Sequence, residues 1–202
     1  MSTPRPLRVH LPFLAVYQQL EQVSMNPNLH TSPNVLVHAE LVREKVAALA
    51  LANGCSTEET ALLDDLAMAH DIGKVQRNIS GRFPGQSAIP HSPPTRPPPH
   101  PEVSESIMKN LGETDTRFLA LVRHHDEALP WYQASMKGSG PDDSAWKKLA
   151  EKLDLYLLSL FMIADRSDCP GGWRKNPATI WFLDESRKRG CLRKEIILPA
   201  GR

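Results

Sequence analysis

Five stretches of the chain carry side chains able to do chemistry: "VLVHAELV" with His38, "AHDIGK" with His70, Asp71 and Lys74, "HPEVSESIM" beginning at His100, "VRHHDEALPW" with His124 and His125, and "FMIADRSD" with Asp165. Their spacing is informative. Leu62, Leu66 and His70 recur every four residues and share a helix face, and His38 lies on the stripe of Val35, Val42 and Val46. Asp165 falls three after Met162 and seven after Leu158, and His125 four after Leu121 and seven after Phe118; His100 opens a helix whose inward residues are Val103 and Ile107. An imidazole or carboxylate on a core-facing stripe costs several kcal/mol unless something pairs with it. One such histidine is ordinary, because a backbone carbonyl can satisfy it. Five helical segments that each turn one inward are explained together by a shared cation. Imidazole plus carboxylate suits Mn, Fe, Co, Ni or Zn better than Mg or Ca.

The elements that must position these groups are helical. Ser32 and Pro33 read as a cap and first-turn proline for a helix that ends at Asn53 and Gly54. Ser56 with Glu59 makes a capping box for the helix that carries His70. Three further apolar stripes run through Val103, Phe118 and Leu155, and a last helix covers Ala178 to Arg189 before Gly190. No alternating run supports a sheet, so the expected class is all-α. "FPGQSAIPHSPPTRPPPHP", 83–101, holds eight of the 18 prolines and cannot be helix inside. It reads as a loop between two helices, placed where it could also cover the site as a lid.

Bulk composition narrows the function classes. A chain of 202 residues with 41% hydrophobic content buries one core, which favours a single domain over 1–202. The 24 basic and 23 acidic side chains give a formal charge of +1, so net charge indicates neither nucleic acid nor an anionic membrane as partner. Three scattered cysteines, Cys55, Cys169 and Cys191, form neither a disulfide framework nor a thiolate zinc site, which fits a cytoplasmic setting. The most apolar stretch, "LYLLSLFMIA", is about half of the roughly 20 residues of a membrane helix, and no export signal is read at the N-terminus.

The set His38, His70–Asp71 and Asp165 resembles the H, HD, D signature of the HD-domain superfamily of metal-dependent phosphohydrolases. His100, His124 and His125 resemble the additional histidines of its two-metal branches, such as the HD-GYP phosphodiesterases. The resemblance spans about 30–168 in the family's order and implies an HD-domain helical bundle. It also implies one or two divalent transition ions, the first on His38, His70, Asp71 and Asp165. The second would share Asp71 and take His100, His124 and His125. Adjacent helical residues diverge by about 100°, so both of the last pair ligate only if the ion lies between them or the helix distorts.

The implied reaction is hydrolysis of a phosphate ester, most readily of a nucleotide, with Asp71 and Lys74 catalytic and Lys74 and Arg77 on the substrate's phosphate. Arg123 and Arg166 are further cationic candidates. Asp126 and Glu127 are candidate leaving-group acids, and Trp131 with Tyr132 either a stacking wall for a base or a cap on the core. Two other readings fit the same order. One is a mixed-valent di-iron oxygenase similar to myo-inositol oxygenase, which needs a single histidine where this chain has two. The other is a nucleotide-binding sensor without turnover. His10, His30 and His91 match nothing and read as surface histidines.

Overall fold

The computed structural model describes residue 7 and residues 10–75 and 98–199. Arg77, His91 and most of the proline-rich stretch lie outside the described residues. Nine α-helices are described: α1 Leu11–Tyr17, α2 Val35–Ala52, α3 Thr57–Ala69, α4 His100–Asn110, α5 Thr116–His124, α6 Ala128–Met136, α7 Asp143–Lys152, α8 Leu155–Asp165 and α9 Pro177–Lys188. There is no strand among the described residues, only an isolated bridge between Ser24 and Asn34. None of the helices is long and apolar enough to cross a membrane.

Helix α8 is the axis of the molecule. Every residue from Leu155 to Asp165 is buried, as expected of a helix that is apolar on all sides. Asp154 caps it by accepting from the amides of Tyr156 and Leu157. Helices α2 and α3 form an antiparallel pair that packs on α8, and this carries His38, His70 and Asp165 to one place. The α2–α3 turn is built as its sequence requires: Gly54 takes a φ of +57°, and the Ser56–Glu59 capping box is formed from both sides. Helices α4 and α5 make a second pair. Beyond them Trp131, Trp146 and Phe182 join α6, α7 and α9 in an aromatic cluster, with Trp131 edge-on to Trp146 at 4.8 Å between ring centres.

Three expectations are corrected. The cap of α2 is Asn34, whose side chain accepts from the Val37 amide; Ser32 is engaged elsewhere. Helix α3 ends at Ala69 with His70 as its C-cap, and Lys74 follows a turn over residues 71–73. Helices α1 and α6 carry no stripe strong enough to announce them, and α7 was overlooked although Trp146, Leu149 and Leu153 fall on one buried face. The last helix is shifted by one residue, to Pro177–Lys188.

Asn53 ties the C-terminal segment to this frame. Its amide donates to the carbonyls of Leu49 and Ile197 at 2.8 and 2.7 Å, and its oxygen accepts from Tyr156 Oη and the Ile197 amide, both at 2.8 Å. Replacing it strands several groups at once, each costing about 1–3 kcal/mol when buried without a partner. Asn53→Ala is expected to destabilise the fold by about 2–4 kcal/mol in chemical denaturation and to speed exchange of the Ile197 amide.

Candidate metal centre

The site is assembled at helix ends. His38 lies in the first turns of α2, His70 and Asp71 at the end of α3, His100 at the start of α4, His125 just past α5, and Asp165 at the end of α8. His38, His70, Asp71, His125 and Asp165 are each no more than 3% exposed. His100 is less enclosed, with 16% of its side chain exposed, and forms the open edge of the group.

Asp71 stands in the middle. Its Oδ2 is 3.3 Å from His70 Nε2 and 3.8 Å from His38 Nε2; its Oδ1 is 3.1 Å from His100 Nε2 and 3.9 Å from His125 Nε2. Each carboxylate oxygen thus faces its own pair of histidines. On the first side His38 Nε2 is 3.3 Å from His70 Nε2, and Asp165 Oδ1 lies 3.0 Å from His38 Nε2 and 3.7 Å from His70 Nε2. On the second, His100 Nε2 and His125 Nε2 are 3.1 Å apart. Tetrahedral coordination with bonds of 2.0–2.2 Å separates ligand atoms by about 3.3–3.6 Å. The observed spacings bracket that value.

Tautomers strengthen the fit. His70 Nδ1–H donates to the Ala67 carbonyl at 2.9 Å, His125 Nδ1–H to Val122 at 2.8 Å, and His38 Nδ1–H to Asp168 Oδ2 at 2.8 Å. With Nδ1 bearing the proton, each neutral ring aims an Nε2 lone pair at the centre, towards other lone pairs and carboxylates. Such an array is repulsive without a cation or extra protons. Asp71 Oδ1 is buried with no hydrogen-bond donor assigned to it. Buried His and Asp groups in this arrangement could hold a metal ion.

Burial opposes ionisation of Asp71 and Asp165, yet the Lys74 ammonium beside the first and the Arg166 guanidinium beside the second hold both carboxyls well below the usual range. Burial also works against the His38 imidazolium, but hydrogen bonds to Asp165 and Asp168 outweigh it and raise its pKa to about 9. His125 is pushed well below the ordinary histidine value by burial and by the charges of His100 and His70.

Each remaining candidate has a definite place. Lys74 Nζ sits 2.5 Å from Asp71 Oδ2. Arg166 stands 3.4 Å from Asp165 Oδ2 and pairs with Asp126, bracing the Asp165 carboxylate. Asp126 is committed to that pair, and burial raises its pKa. Of the histidine pair, His125 is grouped with Asp71 and His100, while His124 Nδ1 is bound to Glu127 at 2.7 Å and its ring lines a cleft with Glu105, Lys109 and Arg123. The helical divergence of neighbours selects His125 alone. Glu127 is occupied by His124, and Arg123 by Glu102 at 2.6 Å, so neither faces the centre. Trp131 packs into the aromatic cluster and Tyr132 lies beside Trp181, which is the core-capping role rather than a stacking wall.

Sequence reasoning missed Asp168 and misread His30. Asp168 is buried; its Oδ1 accepts from Thr31 Oγ1 at 2.5 Å, the Ser32 amide at 3.1 Å and Ser32 Oγ at 3.0 Å, while Oδ2 receives His38. These bonds hold its carboxyl below the usual range against the effect of burial. His30 is not a surface histidine: its Nδ1 lies 3.4 Å from Asp168 Oδ2, and its ring meets His38 edge-on at 5.0 Å. The repeat of Asp at 165 and 168 was the available signal for Asp168. His30 sits in an irregular segment with no periodicity to betray it. His10, also read as surface, is partly buried and caps α1 through Nδ1.

Two outcomes follow. A partner that orients a ligating imidazole commonly changes ion affinity by 10–100-fold, so Asp168→Asn is expected to weaken Mn²⁺ binding by about that factor in calorimetric titration, with helicity retained. The folded pKa of His38, about 9, lies above the 6.5 of an ordinary histidine. Its contribution to the stability of ion-free protein is therefore complete below about pH 6.5 and lost as pH rises through about 9. Thermal melts should show that loss, and saturating divalent ion, which needs the deprotonated Nε2, should remove it.

Comparison of the chain with protein-family models, with curated proteins and with solved structures finds no match.

Proposed function

We propose that the protein is a metal-dependent phosphohydrolase of the HD-domain type, acting through two divalent transition ions on a phosphate ester such as a nucleotide. The observation that carries this reading is Asp71, whose two oxygens face two separate histidine pairs as a bridging carboxylate does. When bound, such ions supply Lewis acidity towards phosphoryl oxygens and lower the pKa of a water towards neutrality.

The chain's own residues supply position and charge. His38, His70, Asp71 and Asp165 would hold the first ion, and Asp71, His100 and His125 the second. Asp168 fixes the ring of His38, and Arg166 with Asp126 braces Asp165. Lys74 neutralises Asp71 Oδ2 in the ion-free chain; with that oxygen engaged by an ion, its ammonium is placed to take a phosphate oxygen. The exposed edge at His100 is the side from which an ester reaches the centre.

A second reading, the di-iron oxygenase, gains from one observation. The histidine pair that favoured hydrolysis is reduced to His125 by the turn of His124 towards Glu127, so the inward set His38, His70, Asp71, His100, His125 and Asp165 has the single histidine that oxygenases use. Hydrolysis is preferred because Lys74 places a phosphate-binding cation against the centre. Elemental analysis of purified protein, with a phosphate-release screen over nucleotides, sugar phosphates and bis-p-nitrophenyl phosphate under anaerobic Mn²⁺, is expected to show turnover without dioxygen. Asp71→Ala should lower it by at least about a hundredfold. Iron content with dioxygen consumption and no phosphate release would instead establish the oxygenase.

A further inference from the structure

Ser104 lies one turn after His100 on α4 and is fully buried. Its hydroxyl donates to the His70 carbonyl at 2.7 Å and accepts from the Gly73 amide at 2.9 Å. Those two backbone groups flank Asp71, at the end of α3 where carbonyls and the following amides run out of helical partners. One side chain on α4 therefore satisfies both sides of the turn that presents Asp71.

Gly73 makes the same contact without a side chain. A Cβ there would come within 2.5 Å of the His100 carbonyl oxygen, 2.7 Å of the Ser104 amide nitrogen and 2.9 Å of Ser104 Oγ. The first two atoms are the ends of an i to i+4 backbone pairing in the first turn of α4. The Asp71 turn thus abuts the backbone of α4 so closely that no side chain fits between them. Of the first half's donors, His38 and Asp165 come from α2 and α8, which pack on each other, whereas His70 and Asp71 belong to the turn that Ser104 braces.

We infer that Ser104 is a positioning residue which, with Gly73, sets the separation of His100 from Asp71 and so governs the second half of the centre more than the first, whose His38 and Asp165 come from α2 and α8. The inference rests on the two-ion reading above. Removing the hydroxyl leaves the His70 carbonyl and Gly73 amide without their partner and frees α4 to move, carrying His100 away from Asp71 while His38 and Asp165 stay in place.

The test is Mn²⁺ titration of the full chain, read by calorimetry and by the electron paramagnetic resonance signature of coupled Mn²⁺ pairs. Wild type is expected to take two ions. Ser104→Ala should keep the first affinity within about threefold, weaken the second by at least about tenfold and lose the coupled signal. Gly73→Ala should do the same, and Ser104→Cys, which keeps the size and a weak donor, should fall between Ser104→Ala and wild type. If Ser104→Ala does not fold, Ser104→Cys carries the comparison. Two ions in wild type with both affinities lowered equally, or neither lowered, in the Ser104 variants overturns the inference alone. A single ion in wild type overturns the two-ion reading and the inference with it.

Discussion

Around Asp71, nitrogen lone pairs and carboxylate oxygens are driven together in a space that water scarcely reaches. His70 and His125 have their Nδ1 protons committed to the Ala67 and Val122 carbonyls, so as neutral rings they offer the centre only Nε2 lone pairs. The Nε2 contacts, 3.3 Å for His38 with His70 and 3.1 Å for His100 with His125, are tolerable only with a cation or extra protons between the rings. The chain itself supplies positive charge at two points: hydrogen bonds to Asp165 and Asp168 outweigh burial and favour the His38 imidazolium, and Lys74 lies on Asp71. Both are stand-ins for positive charge at the places where the proposed ions would bind.

That demand for charge explains the placement of the helices. Each inward donor sits at or near a helix end, where backbone groups without helical partners are available to orient side chains. The turn after α3 is the extreme case. His70 closes the helix, Asp71 occupies the centre, and Gly73 lets the backbone of α4 approach where a Cβ would collide. The wholly buried α8 supplies the rigid wall, and Arg166 at its end balances the negative charge that two aspartates bring into the interior.

Helical phase pointed to His38, His70, His125 and Asp165, because a helix has a fixed period and a polar group in step with apolar residues stands out, whereas Asp71 was read from the resemblance and His100 from the start of its helix. The resemblance offered both His124 and His125; in the structure His125 Nε2 faces Asp71 while Glu127 holds His124 Nδ1. Sequence reasoning overlooked Asp168 and His30. Their roles come from the segment around Thr31 and Ser32 folding over the end of α8, a contact between residues more than 130 positions apart. Helix α6 was missed for a related reason: Trp131 is held by meeting Trp146 and Phe182 rather than by a stripe of its own helix.

The sequence by itself determined the helical class, the capping of the α2–α3 turn and the kinds of donor that face inward, because hydrophobic period, capping chemistry and ligand type are local properties of the chain. Tertiary structure alone decided which nitrogen of each ring faces the centre, that Asp71 divides its two oxygens between two histidine pairs, and that Ser104 and Asp168 brace the groups on either side. Those outcomes depend on distances between atoms on different helices, and such distances are set by packing, which no local pattern encodes.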